Sequence, residues 1–165
     1  PRLRTLCGGD LDSVRLATLL QMTLPGAPCI YYGDEIGMSG SMDPDCRRAF
    51  PAEPAEWQRE PSEWVADLAN LRHSSGAFRD AELTLLGTDG PAIAYLRRDG
   101  EDAFAVVVNA GAQALEWSTP VPDGLDRAEV EPLRGCAAGE RSAEVIEDAL
   151  RVSLPARDGM VVRLG

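Results

Sequence analysis

Gly26-Ala27-Pro28-Cys29-Ile30-Tyr31-Tyr32-Gly33-Asp34-Glu35-Ile36-Gly37-Met38 is the stretch on which the fold turns, and Asp43-Pro44-Asp45-Cys46-Arg47-Arg48 follows it closely. The run Cys29 to Tyr32 is too short for a helix and lies between Pro28 and Gly33. It reads as a buried strand that exits through glycine into a long loop dense in acids and arginines. Upstream, Asp10 to Leu24 carries apolar residues at Leu11, Val14, Leu16, Ala17, Leu19, Leu20 and Leu24, which predicts a substantially buried helix. Asp10 or Asp12 caps its start, and Pro25-Gly26 ends it. Helix, tight turn and apolar strand together make the αβ step of a parallel α/β fold.

Downstream, Gly33 to about Pro61 is irregular and rich in Gly, Pro and charge, and long loops of that kind tend to be functional. Ser62 is the expected cap of the next helix, with Glu63 in its first turn and Trp64, Leu68 and Leu71 on one apolar face. That helix should end near His73-Ser74-Ser75-Gly76. Beyond Gly76 the period changes to strand alternation. Ile93, Tyr95 and Arg97 alternate with Ala92, Ala94 and Leu96, and Asp99-Gly100 supplies a hairpin turn before Ala103 to Val108. Ala114–Trp117, Ala128–Leu133, Ala149–Leu154 and Met160–Leu164 are further strand-like runs, so an antiparallel sandwich is expected. The chain divides between Gly76 and Glu82.

With 165 residues, the chain fits one ordinary domain or two small ones. Its 27 acidic residues against 16 basic ones, a formal net charge of −11, argue against nucleic acid and against an anionic membrane surface. A neutral partner such as a sugar is compatible with that balance. No run approaches the roughly 20 apolar residues that cross a bilayer. Cys7, Cys29, Cys46 and Cys136 form no C-x-x-C pair, so zinc is not expected. Free thiols in a reducing cytoplasm are the favoured reading, with a disulfide left open.

Among the polar residues, Asp34-Glu35 invites comparison with the paired carboxyls of a retaining glycosidase, which sit about 5 Å apart across the scissile bond. Neighbours at a strand end point to opposite sides of the backbone, so a structural role on loop amides is favoured. Asp43 and Arg47 offer a carboxylate acceptor and a rigid fork of donors, the chemistry that holds sugar hydroxyls. The plain alternative is a salt bridge between them that orders the loop. Asp45 and Arg48 are expected behind them or facing solvent. A calcium site from Asp43, Asp45 and Asp34 or Glu35 is conceivable, but EF-hand spacing is absent and Pro44 stiffens the loop. His73, the single histidine, suits a helix C-terminus and has no nucleophile elbow to serve. One of Tyr31 and Tyr32 should face inward, and Trp57 lies where it could stack on a sugar.

The run Gly26 to Met38 resembles the last barrel strand of the α-amylase superfamily of glycoside hydrolases. Asp43 to Arg48 resembles the branch that contains neopullulanase, cyclomaltodextrinase and maltogenic amylase. The likeness covers most of the chain, and its specificity is concentrated in Gly26 to Arg48. It implies an α/β plus all-β fold. Residues 1–78 would be the end of a (β/α)8 (TIM) barrel, with a helix, strand eight, the long loop and a final helix. Residues 79–165 would be a C-terminal antiparallel β-sandwich. A complete barrel needs about 250 residues, so the chain is expected to be the C-terminal portion of a longer enzyme, in keeping with its start at Pro1-Arg2-Leu3.

The implied activity is retaining hydrolysis of α-1,4 or α-1,6 bonds in cyclodextrin, pullulan or malto-oligosaccharides. Asp43 and Arg47 would bind the non-reducing side of the glucan, and no cofactor is implied. The family's nucleophile, acid/base and stabilising carboxylates follow strands four, five and seven, the last just ahead of the segment matching Pro1-Arg2. No catalytic residue is therefore expected here, and the isolated chain should be inactive. Two other readings stay open. One is a transglycosylating or phosphorolytic relative such as trehalose synthase or sucrose phosphorylase, against which Asp43 to Arg48 weighs. The other is a non-catalytic sugar-binding or structural module.

Overall fold

The computed structural model of the chain describes residues 1–133 and 140–165. Three α-helices, α1 (Leu3–Leu6), α2 (Leu11–Thr23) and α3 (Arg59–Ser74), precede eight strands among the described residues. The strands are β1 (Leu83–Asp89), β2 (Ala92–Asp99), β3 (Asp102–Asn109), β4 (Leu115–Pro120), β5 (Ala128–Val130), β6 (Ser142–Ile146), β7 (Ala149–Leu154) and β8 (Asp158–Leu164). Five of them form an antiparallel sheet in the order β1-β2-β3-β8-β5, and three form a second in the order β4-β7-β6.

Helix α2 starts where Asp10 caps it, its carboxylate accepting from the Ser13 amide. Helix α3 departs from expectation at its start. It begins at Arg59, with Gln58 as the flanking residue and no side-chain cap, ahead of Ser62. Pro61 is tolerated because a first-turn residue has no intrahelical use for its missing N–H. Arg72 and His73 occupy the last turn, as charge at a helix C-terminus should.

The five-stranded sheet is the middle layer. Tyr95, Phe104, Val106, Val108 and Val161 face the helices and share one core with Leu19, Trp64, Leu68 and Phe78. Ala94, Leu96, Ala105, Val107 and Val162 face the other way and share a second core with Leu150, Val152 and Leu154 of β7. Burial on both faces explains why Ala103 to Val108 is a continuous apolar run rather than an alternating one. Residues Ala92–Asp99 pair with Asp102–Asn109 as the Asp99-Gly100 turn requires, Gly100 taking a φ of 59°. Helix α3 packs on this sheet through Trp64, Leu68 and Leu71, the residues expected on its apolar face.

The expected strand at Cys29 to Tyr32 does not form. The segment is irregular, and Ile30, Tyr31 and Tyr32 stand 39 to 44% exposed. A strand is a property of a pair, and no described segment offers this run a ladder. Two carbonyls in it are met by side chains instead, Cys29 by Gln21 and Tyr32 by Arg2. Two strands were not anticipated. Strand β1 carries a bulge between Leu85 and Gly87 that breaks its alternation. Strand β6 shows only Ala143 and Val145 to the core. Beyond Val130, Glu131 still donates to the Val161 carbonyl, but Pro132 has no N–H to continue the ladder.

Candidate functional site

Residues 25–58 form a long polar excursion from this frame, and residues 2 to 5 hold it in place. The Arg2 amide donates to the Gly40 carbonyl at 2.8 Å, and Gly40 N–H returns a bond to Thr5 Oγ1 at 2.8 Å. Arg4 Nη1 donates to the Gly37 carbonyl at 2.8 Å. Gly40 has to be glycine, since a Cβ there would lie 2.8 Å from Cys46 Cα. The loop thus folds back against itself before the acid-arginine segment begins.

In that segment Asp43 precedes a cis peptide to Pro44, and Asp45–Arg47 makes a single 3-10 turn. The turn brings Arg47 Nε to 3.2 Å from Asp43 Oδ1, with the two side chains 69% and 61% exposed. Asp45 points inward to its own loop. Its Oδ2 accepts from Ser41 N at 2.6 Å and Ser41 Oγ at 3.1 Å, and Oδ1 meets Arg48 Nε at 3.1 Å. The Ser41 backbone and side-chain hydrogen bonds, followed by the Arg48 charge, hold Asp45 below the usual carboxylate range. Arg48 spans the loop to the Ser39 carbonyl, and its own carbonyl accepts from Tyr32 Oη at 3.1 Å. Asp45 and Arg48 therefore shape the loop, while Asp43 and Arg47 are presented outward.

Asp34 and Glu35 occupy a 3-10 turn rather than a strand end. Glu35 Oε2 accepts the Gly33 amide at 2.7 Å, and Asp34 Oδ1 lies 3.4 Å from Arg2 Nη1. Burial pushes the Asp34 carboxyl up, with the Arg2 charge working against it. Both acids line a cleft of about 230 Å³ against Thr18 and Gln21, which Asp43 and Arg47 do not reach. The structure therefore keeps the two acidic groups of the motif apart. Phe50 and Trp57 pack edge to face at 5.5 Å, each 38% exposed, with Trp57 Nε1 donating to the Pro51 carbonyl. Among the described residues no three His, Cys, Asp or Glu side chains gather closely enough to hold a metal ion. Cys7, Cys29 and Cys46 carry free thiols, and Cys136 lies outside the described residues.

Arg2 is the residue that sequence reasoning did not single out. Its side chain is fully buried, and its guanidinium carbon sits 4.9 Å from the Tyr31 ring and 4.7 Å from the Tyr32 ring. These partners are some thirty positions away along the chain, and no local pattern announces such a contact.

Residues 1–80 match the sequence model of the family described as alpha amylase, catalytic domain. The chain is 38% identical over 157 residues to a cyclomaltodextrinase of Geobacillus thermopakistaniensis, covering 94% of this chain and 26% of that protein. Neopullulanase 2 of Thermoactinomyces vulgaris is 36% identical over 136 residues, with 81% and 23% covered. The solved debranching enzyme of Nostoc punctiforme superposes with a TM-score of 0.84 at 32% identity, over 98% of this chain and 33% of that one. The chain thus spans about a quarter of the length of the curated relatives it matches. In residues 1–80, where the loop with Asp43 and Arg47 lies, the chain belongs to the alpha-amylase family.

Proposed function

We infer that the polypeptide to which this chain contributes is a retaining glycoside hydrolase acting on α-glucan oligosaccharides, with Asp43 and Arg47 as substrate contacts. The observation that carries this reading is the exposure of that pair, 69% and 61%, beside Asp45 and Arg48, which are instead engaged with Ser41, Ser39 and each other. Its relatives are named for cyclodextrin, pullulan and maltogenic activity, which supports an α-1,4 or α-1,6 glucan as substrate. An exposed ion pair holds two side chains in register at little energetic cost, at most about 1 kcal/mol, so either partner is free to turn to a hydroxyl. Tyr31, 44% exposed in the same loop, adds an aromatic face of the kind that pyranose rings stack on.

In this reading residues 1–78 supply the end of a (β/α)8 barrel and residues 79–165 a C-terminal β-sandwich. The run Cys29 to Tyr32 would gain its ladder from barrel strands elsewhere in the polypeptide. Asp34 and Glu35 are not the reacting pair, because one is engaged by Arg2 and the other by its own loop amide. Residues 1–165 alone should therefore hydrolyse nothing, and no metal or cofactor is invoked. Arg47→Ala in the complete enzyme tests the assignment. Loss of a polar contact worth about 1–3 kcal/mol lowers kcat/KM on cyclodextrin or pullulan by roughly tenfold to a hundredfold. The melting temperature should hardly move. A variant that melts far lower while its folded fraction keeps parental kcat/KM would assign the pair to loop structure alone.

A further inference from the structure

Tyr32 stands at the root of the loop with both of its ends engaged. Its carbonyl accepts from Arg2 Nη1, and its ring lies over the same guanidinium, whose carbon is 4.7 Å from the ring centre. The Arg2 side chain is fully buried, and the Arg2 amide holds the Gly40 carbonyl at 2.8 Å, so the tyrosine is seated on an anchored residue. From there its Oη donates to the Arg48 carbonyl at 3.1 Å, a partner 16 positions along the chain. Arg48 closes the 3-10 turn that carries Arg47. Its amide donates to the Asp45 carbonyl at 3.3 Å, and its guanidinium meets Asp45 Oδ1 and the Ser39 carbonyl. The entry to the turn is fixed separately, by Ser41 on Asp45 Oδ2.

We propose that Tyr32 is a positioning residue for substrate binding, its hydroxyl fixing the exit of the turn and so the direction in which Asp43 and Arg47 face. This rests on the reading of that pair as sugar contacts. The two side chains meet each other and stand largely in solvent, so the backbone that bears them sets where they point. Of the contacts that shape that backbone, the Tyr32 bond alone ties the exit of the turn to the buried Arg2. An exposed hydrogen bond adds little to folding stability, because water replaces either partner when it breaks. Its effect on geometry is larger, since a polar contact displaced by about 1 Å loses much of its strength.

The test is Tyr32→Phe in the complete enzyme, which removes the hydroxyl and keeps the ring over Arg2. On cyclodextrin, kcat/KM should fall by roughly three- to tenfold, chiefly through KM, with the melting temperature unchanged. Made on top of Asp43→Ala and Arg47→Ala together, the same change should do nothing further, since the contacts it orients are gone. A crystal structure of Tyr32→Phe should show the Arg48 carbonyl and the Arg47 side chain displaced from their parental places. Parental kinetics in Tyr32→Phe, or a crystal in which residues 43–48 superpose on the parent, overturns the proposal. An undiminished loss in the Asp43→Ala, Arg47→Ala background does so too, because Tyr32 would then act without the pair. If Asp43→Ala with Arg47→Ala already matches the parent, it is the sugar-contact reading that fails, and the proposal falls with it.

Discussion

Arg97→Met offers the sharpest test of how the helices are joined to the sheet. Arg97 is fully buried on β2, where Nη1 donates to the Thr23 carbonyl at the end of α2 and Nη2 to the Ala81 carbonyl at 2.8 Å. Hydrogen bonds from a charged donor are worth about 1.5–3 kcal/mol each, so removing both costs roughly 3–6 kcal/mol. The cation also sits at a helix C-terminus, where the dipole adds up to about 2 kcal/mol. Against this stands the cost of burying the guanidinium, whose Nε is unpaired and whose charge is disfavoured by burial and by Arg72 nearby. A net loss of about 2–4 kcal/mol is expected for Met, which keeps the volume and strands two carbonyls. Arg72, donating to the carbonyls of Met22 and Gly26, holds the same helix end from α3 and limits the damage. Urea titration of single-tryptophan forms reads the result: Trp64 reports on the helical layer and Trp117 on β4. The two midpoints should coincide in the parent and both fall in Arg97→Met, with Trp64 falling first. A variant as stable as the parent would show that desolvation outweighs the two bonds and would refute the reasoning.

Tyr95, buried and pushed up to about 12 mainly by burial, with the Thr23 hydrogen bond opposing, stays neutral in the fold after the unfolded chain ionises near 10. Its contribution is complete below pH 10 and is lost as pH rises toward 12, about 3 kcal/mol in all. Tyr95→Phe should cost about 1 kcal/mol at pH 7 and flatten that alkaline decline in a urea-midpoint series. Asp34 works in the opposite sense: a carboxyl raised by burial, with Arg2 opposing, is a net burden when ionised and sheds that burden as pH falls through its folded-state pKa. Asp34→Asn should therefore match or exceed the parent at pH 7 and lose that advantage in acid, and a variant weaker at pH 7 and equal in acid would reverse the sign. Gly159→Ala would place a methyl 2.5 Å from Leu19 Cδ2 and 3.2 Å from the Val107 carbonyl, so a loss of about 1–3 kcal/mol is expected in thermal or urea unfolding.

Elements whose signal is local were readable from the chain. Asp10 caps α2 because a carboxylate three residues ahead of an amide needs no distant partner. The Asp99-Gly100 hairpin carries its register in its turn, and Ala149–Leu154 matches β7 residue for residue. What escaped depended on distant partners. Strand β1 hides behind a bulge set by its pairing with β2, and the start of α3 depends on a proline that helix ends accept. Within the loop, Asp43 and Arg47 were visible as residue types four apart. Their outward presentation was not, because it follows from Ser41, Ser39 and Arg48 engaging the rest of the loop.

The same distinction explains why the loop keeps a defined shape although the apolar run that precedes it is not a strand. Its contacts run to α1 and its flanks through Arg2, Arg4 and Thr5, and internally through Ser41 to Asp45 and Tyr32 to the Arg48 carbonyl. None of these requires a ladder at Cys29 to Tyr32. Pairing that run with barrel strands would add backbone bonds beneath Tyr31 and Tyr32 and cover their exposed faces, while leaving the network above untouched. The presentation of Asp43 and Arg47 is thus a property of residues 2–5 and 33–48 together. The exposed pair therefore owes its geometry to these contacts and not to a ladder at Cys29 to Tyr32.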